Sequence, residues 1–312
     1  MDKEVDKKVQ KYSAKNEKGY YLHGWCNNYP YNQVLDYYGN TLPVKVISAP
    51  LYEKDKALID QFWISKRNGD VCLGIMSCGH WPHYNKEDEA NNSRLAEINK
   101  PHMQSIINAI DGWLSCDKEQ LFPKSIVYSE SDLTDVTKNI IPWNERDIDI
   151  IYYGGDDESD YYEYHKQIQL GVECLRKIKD AVGCRAVYVG KNPKEGLEHQ
   201  PKLLWANWTK YLQRCKILLI SAVSDASPRT ITDALSNGCA VLINKEIFGG
   251  WKYVVPETGA FFTSSDDAVF GYKSIIERGY SGEFDPSKWY ADNYGKNKGA
   301  LRLRAFCELL KK

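Results

Sequence analysis

The sequence predicts an α/β protein of two domains, each a parallel, doubly wound sheet with crossover helices. Three observations predict it. At 312 residues the chain is longer than one typical domain, and about 150 residues per domain gives two. Short apolar runs alternate with helical patterns along most of its length, which is the pattern of βα units. In the C-terminal half those runs are nearly continuous in Val, Ile and Leu, as in strands covered on both faces.

The elements follow in order. Residues 1–18 alternate charges and read as a solvated arm. Candidate strands at 19–22, 44–47, 71–76 and 126–128 are separated by helical patterns at 56–65 and 94–114, the second interrupted by Pro101. Residues 79–93, GHWPHYNKEDEANNS, read as a long loop. A break falls at NIIPWNERD, residues 139–147, around Pro142. Beyond it a strand at 148–153 ends in Gly154-Gly155, a helix covers 161–182, and a strand at 186–189 ends in Gly190-Lys191. A short helix at 208–215, a strand at 217–220, a helix at 228–235 and a strand at 240–243 complete the alternation. From Asp266 the tail is helical in two or three pieces, broken at Gly282 and at Asp285-Pro286, and ends in an amphipathic stretch at 301–310. The expected domains are therefore 1–140 and 141–275, with C-terminal helices at 276–312 placed to pack back on the first. Ligands of such sheets bind at the carboxyl ends of the strands, near a topological switch point, and the cleft between two such domains is the default site.

Composition narrows the function classes. A formal net charge of −1 offers no global field to recruit nucleic acid or an anionic membrane. The nine cysteines are odd in number and form no C-x-x-C, so neither a zinc ribbon nor a disulfide framework is indicated, and a reducing, cytoplasmic setting is expected. The N-terminus is too polar for a signal peptide and no stretch has the length of a membrane span. The sequons at Asn91 and Asn207 then read as chance matches. No G-x-G-x-x-G follows a candidate strand, which argues against a dinucleotide dehydrogenase. An aromatic share of 12% suits sugar stacking, and equally cores and interfaces.

One stretch carries chemistry: SDASPRTITDALSNGCAVLI, residues 224–243, directly after the apolar run at 217–220. Ser227-Pro228 reads as a helix start, with serine at the N-cap and proline in the first helical position. The free N–H groups and dipole of that first turn make an anion site at the carboxyl end of the preceding strand. Arg229 and Thr230, in the same turn, can add a cation and a hydroxyl. Asp225 precedes the helix and Asp233 stands in its second turn.

The ordered set of segments from Asp225 to Val241 resembles the E-x7-E segment of GT-B glycosyltransferases, with both acids aspartate and Ala240 in place of the usual proline. Glu257-Thr258-Gly259-Ala260-Phe261-Phe262 resembles the strand that follows in that family, and the strands ending at Gly154-Gly155 and Gly190-Lys191 match the first two of its nucleotide-binding half. The resemblance covers about residues 140–275 and implies two Rossmann-like domains facing across a cleft. It implies transfer of a sugar from a nucleotide diphosphate sugar, UDP on family grounds with GDP as the alternative, to a glycan or other hydroxyl acceptor. Carried onto matching positions, it places Asp233 on the ribose hydroxyls and Asp225 on the donor sugar. The backbone N–H groups of Ser227, Arg229 and Thr230 would cradle the diphosphate, Gly155 would line the donor site, and Lys191 or a basic residue near it would neutralise the leaving phosphate. No metal or cofactor is then required, because a helix terminus and cations take that role.

In the N-terminal half, His23 and Trp25 end one candidate strand, and His80, Trp81 and His83 end another. Histidine beside glycine at a strand end can act as a base or bind a sugar. GT-B enzymes often present such a histidine to the donor sugar, and His80 is the candidate base. His23 and Trp25 are the candidate acceptor contacts. Asp147-Ile148-Asp149 fits the D-x-D metal pair of another glycosyltransferase architecture, but it begins a strand rather than ending one. The rival functions are a nucleotide-sugar epimerase of the same fold and a non-catalytic sugar- or nucleotide-binding protein with a decayed active site, the latter kept open by the double change from Glu to Asp.

Overall fold

The computed structural model describes residues 44–48, 56–75, 100–116, 124–155, 160–225, 227–282 and 284–311. The chain divides into two compact units, Met1–Glu130 with Lys296–Lys312, and Ser131–Gly295. This differs from the division at residue 140 that Pro142 suggested. Ser131 and Asp132 are already anchored in the second unit, because the Tyr290 hydroxyl donates to the Ser131 carbonyl at 2.6 Å and Lys252 pairs with Asp132 at 2.7 Å.

In the first unit, strands β1 (Val44–Ser48), β2 (Val71–Ile75), β3 (Gly112–Ser115) and β4 (Ser125–Val127) lie side by side in sequence order, all parallel. Helices α1 (Lys56–Arg67) and α2 (Pro101–Ala109) belong to the crossovers. Of the pattern read as helical over 94–114, the described residues form a helix at α2, while Trp113 and Leu114 belong to β3. A short buried apolar run satisfies either period, and Asp111 decides between them. Its N–H donates to the Cys72 carbonyl (2.8 Å), and its carboxylate accepts from the Cys72 N–H (2.8 Å) and Lys66 Nζ (2.7 Å), tying the turn to β2. The C-terminal helix Lys296–Leu310 buries Leu303, Phe306 and Cys307, and Phe306 and Leu310 close over Gly112, where a Cβ would lie 2.6 Å from Leu310.

The second unit holds one six-stranded parallel sheet: β5 (Ile148–Gly155), β6 (Ala186–Gly190), β7 (Glu198–Gln200), β8 (Cys215–Ile220), β9 (Ala240–Asn244) and β10 (Gly259–Phe262), in the order β10-β9-β8-β5-β6-β7. The polar edge strand β7 is absent from the sequence reading, because three half-exposed residues carry no apolar signal. Its helices are α3 (Asp160–Lys166), α4 (Ile168–Val182), α5 (Trp205–Arg214), α6 (Arg229–Ser236), α7 (Ser265–Tyr280) and α8 (Pro286–Asn293). The helix expected at 161–182 is two helices, because Gln167 takes φ 51° and breaks it after Lys166.

The sheet is covered on both faces. Ile151, Val187, Val189, Leu218, Val241 and Ile243 share one core with residues of α5, α6 and α8. Ile150, Tyr152, Tyr188, Ile217, Leu219 and Leu242 share the other with α4 and α7. Alternate residues of each strand thus feed opposite cores, which is why these strands read as unbroken apolar runs. No helix among the described residues is long and apolar enough to cross a membrane.

Candidate functional site

The strand order fixes where a ligand can sit. From β5 the chain winds outward through β6 and β7, then returns to the other side of β5 for β8, β9 and β10. The switch point therefore lies between the carboxyl ends of β5 and β8, where loops leave in opposite directions and open a crevice. Gly155, at φ 80°, closes β5, and its carbonyl accepts the Lys191 N–H at 3.2 Å, so the ends of β5 and β6 meet there. The Lys191 side chain is exposed.

The segment leaving β8 is held from both sides. Ser221 Oγ donates to the Lys166 carbonyl (2.7 Å) and is hydrogen-bonded with the Tyr152 hydroxyl (2.9 Å). Burial pushes the Tyr152 phenol up, well above its ordinary pKa. The Val223 and Ser224 N–H groups reach the His165 carbonyl at 3.0 and 3.2 Å. From the β9 side, Asn244 Nδ2 donates to the Ser221 carbonyl (3.0 Å) and the Phe248 N–H to the Val223 carbonyl (2.9 Å).

This clamp presents Asp225 to Lys166. Oδ2 of Asp225 lies 2.6 Å from Lys166 Nζ, with about a quarter of each side chain exposed (25% and 29%). Oδ1 accepts the Ser227 N–H at 3.2 Å, an Asx turn that aims the chain into α6. Lys166 is the functional candidate that sequence reasoning missed. Inside one long expected helix it had no special place, and only the break at Gln167 sets it at the end of α3 beside the β8 loop.

The start of α6 differs from the expected cap. Helix α6 begins at Arg229, with Pro228 at the N-cap, and no side chain caps it. Ser227 stands one residue before that N-cap, its Oγ is hydrogen-bonded to Ser131 Oγ at 2.9 Å, and its N–H is already given to Asp225 rather than held for a phosphate. By contrast, Ser264 and Asp285 cap α7 and α8 with their own oxygens. An uncapped helix start presents N–H groups and the positive end of the dipole to whatever lies before it. Arg229 and Thr230 are half-buried in that turn, and Pro228 is buried. Gly250, at φ 80°, lets the turn after β9 pack on it; a Cβ there would fall 2.4 Å from Pro228 Cγ.

Asp233 is buried, at 6% exposure, in the second turn of α6. Asp225, Ser227, Arg229, Thr230 and Asp233 thus share one loop and helix at the switch point, with Gly155 and Lys191 at the neighbouring strand ends. His23, Trp25 and His80 lie outside the described residues.

The D-x-D pair is at the opposite edge of the sheet. Asp147 is salt-bridged to Arg185 at 2.6 Å and to Arg214. Its carboxyl is held down to about 2, chiefly by the Arg214 hydrogen bond. Asp149 pairs with Lys216 at 2.8 Å. No cluster suited to a metal ion occurs among the described residues.

No protein-family model and no curated protein sequence matches the chain. Among solved structures, it is similar to the pneumococcal O-GlcNAc transferase GtfA in complex with UDP and GlcNAc, at TM-score 0.56 and 9% identity over 85% of this chain and 57% of that one. It is similar to the lipopolysaccharide outer core galactosyltransferase WaaB at TM-score 0.55 and 15% identity, covering 89% of this chain and 78% of that one. Sucrose-phosphate synthase from Thermosynechococcus elongatus matches at TM-score 0.54 and 11% identity, covering 90% and 76%. The chain spans little more than half the length of the first of these, 57%. Its mixed α/β fold with parallel sheets is the fold of the GT-B glycosyltransferases.

Proposed function

We propose that this protein transfers a sugar from a nucleotide diphosphate sugar, with UDP as the nucleotide, to a hydroxyl of a glycan or other acceptor, without a metal ion. The observation that carries the reading is the Lys166–Asp225 pair at the switch point, next to the uncapped start of α6. Breaking the bond from the sugar carbon to the phosphate oxygen leaves positive charge on the ring and negative charge on the diphosphate. Groups fixed in advance against that negative charge supply a large part of catalysis. In this reading the first-turn N–H groups of α6, with Arg229, Thr230 and Lys166, receive the diphosphate, and Lys191 adds charge from the β6 end. Asp225 orients Lys166 and the donor sugar, Asp233 takes the ribose hydroxyls, and Gly155 leaves room at the end of β5. His80 accepts the acceptor's proton as its oxygen bonds to the sugar carbon, while His23 and Trp25 hold the acceptor.

The test is calorimetric titration with UDP and GDP, followed by turnover of the matching sugar conjugate. Asp233→Ala should weaken UDP binding at least tenfold, whereas Asp225→Ala should mainly lower sugar release. Equal UDP affinity in Asp233→Ala and the parent removes the ribose assignment. UDP binding without transfer or hydrolysis would assign a binding protein, and interconversion of the sugar without transfer an epimerase.

A further inference from the structure

The amino-terminal edge of the six-stranded sheet lies about one strand length, roughly 20 Å, from the switch point. Two hollows of about 500 and 420 Å³ lie there, and both are lined by Tyr280 at the end of α7. Tyr280 is 60% exposed, and Lys216 Nζ holds it by donating to its hydroxyl at 3.2 Å. In the larger hollow Trp143 and Phe284 stand edge to face at 5.5 Å. Gly238, Gly279 and Gly282 line it without side chains. The indole N–H of Trp143 is buried against Gly279 without an acceptor, a state that costs free energy.

Arg146, Asp285 and Asp149 at this edge are already held by neighbouring groups. Arg146, at the wall of the larger hollow, donates Nε to the Ile141 carbonyl (3.1 Å) and Nη1 to those of Leu212 (3.4 Å) and Cys215 (2.6 Å). Its Nη2 donates to the Asn237 carbonyl (2.9 Å), so four of its five N–H groups are used. Oδ1 of Asp285 caps α8 and accepts from Ser287 Oγ (2.7 Å) and the Lys288 N–H (2.9 Å). In the smaller hollow Asp149 is paired with Lys216, and Lys273 and Glu277, four residues apart on α7, bring opposite charges to the wall. An anion would find no uncommitted cluster of cations, and a purely apolar ligand would strand the polar walls. Aromatic faces with neutral and balanced polar groups between them suit a neutral polyol, whose C–H faces stack and whose hydroxyls both donate and accept.

From this the geometry points to a site for a neutral oligosaccharide chain along the amino edge of the second unit, with Tyr280 between the two hollows as its stacking platform. It stands on side chains that the transfer reaction does not use, so it is independent of the proposed activity. The experiment is titration of the full-length protein with maltohexaose and cellohexaose by calorimetry and ligand-observed NMR, in the presence and absence of saturating UDP. At least one oligosaccharide should bind with or without UDP, and replacing Tyr280 or Asn144, which lines the larger hollow, by alanine should weaken it, Tyr280→Ala at least tenfold, with the melting temperature within a few degrees of the parent. Failure of both sugars to bind at millimolar concentration overturns the site. So does binding that is unaltered in Tyr280→Ala, or that UDP abolishes, which would place the sugar at the switch point. A UDP titration on the same samples reads the transferase proposal separately.

Discussion

Replacing Lys166 by methionine separates a structural salt bridge from a phosphate ligand, because the two roles predict different magnitudes. The pair with Asp225 is short, 2.6 Å, but 29% and 25% of the two side chains are exposed. Solvent screening then limits its worth to about 1 kcal/mol at most, or ~2–4 °C in melting temperature for a unit of this size. The bonds that fix the loop use the Lys166 carbonyl and the His165 carbonyl, not the ammonium group, so the backbone clamp survives the change. A charge-assisted contact to a bound diphosphate is worth more, about 1.5–3 kcal/mol, which is roughly 10- to 150-fold in Kd. Calorimetric titration with UDP, together with a thermal unfolding curve, reads both quantities on one sample. The expected result is a melting point within a few degrees of the parent and a UDP Kd raised at least tenfold, partly restored by Lys166→Arg. A Kd within twofold of the parent, whatever the melting point, would refute the reasoning and leave Lys166 as a strut for Asp225.

Gly250→Ala should disturb the start of α6, since it adds a Cβ 2.4 Å from Pro228 Cγ and 2.7 Å from Ile231 Cδ1 at φ 80°. A cost of about 1–3 kcal/mol is expected, seen as a lower denaturation midpoint together with weaker UDP binding. Arg146→Met should remove the four hydrogen bonds that join the segments around Ile141, Leu212, Cys215 and Asn237. Burial depresses the Arg146 pKa, but arginine remains charged, and orphaned buried carbonyls cost about 1–3 kcal/mol each. Loss of less than about 1 kcal/mol in urea unfolding would contradict that account. Asp147, held down to about 2, contributes its stabilisation fully above the unfolded carboxyl pKa of about 3.9 and loses it as pH falls toward 2. With 46% of that side chain exposed the effect is small; Asp147→Asn should flatten the stability profile between about pH 4 and 2, read by denaturation at each pH.

The second unit was legible because its physics is local and repeated. Strands buried on both faces need unbroken apolar runs, so β5, β6, β8 and β9 declared themselves, and Gly190 and Gly155 marked two of their ends. What the sequence hid depends on contacts between distant residues. Trp113 and Leu114 satisfy helix or strand equally, until Asp111 binds Cys72 and Lys66. Lys166 is one lysine among many until the left-handed turn at Gln167 ends α3 beside the loop after β8. Ser227 has the chemistry of an N-cap, yet Ser131, 96 residues away, takes its hydroxyl. In each case local propensity was overruled by a partner that no window on the sequence contains.

The aspartate at position 225, where the resembling family carries glutamate, is consistent with this local architecture. A carboxylate one methylene from the backbone can reach the N–H two residues on, and Asp225 does so at 3.2 Å to Ser227 while holding Lys166 with its other oxygen. Glutamate is too long to close that Asx turn without folding back. The shorter acid therefore gives up reach toward a ligand and gains a fixed loop, with one oxygen setting the path into α6 and the other setting the ammonium group. Under the proposed function, that division of labour adds Lys166 to residue 225 as a charge offered to the ligand. It is the physical reason to treat the pair, rather than either acidic residue alone, as the centre of the candidate site.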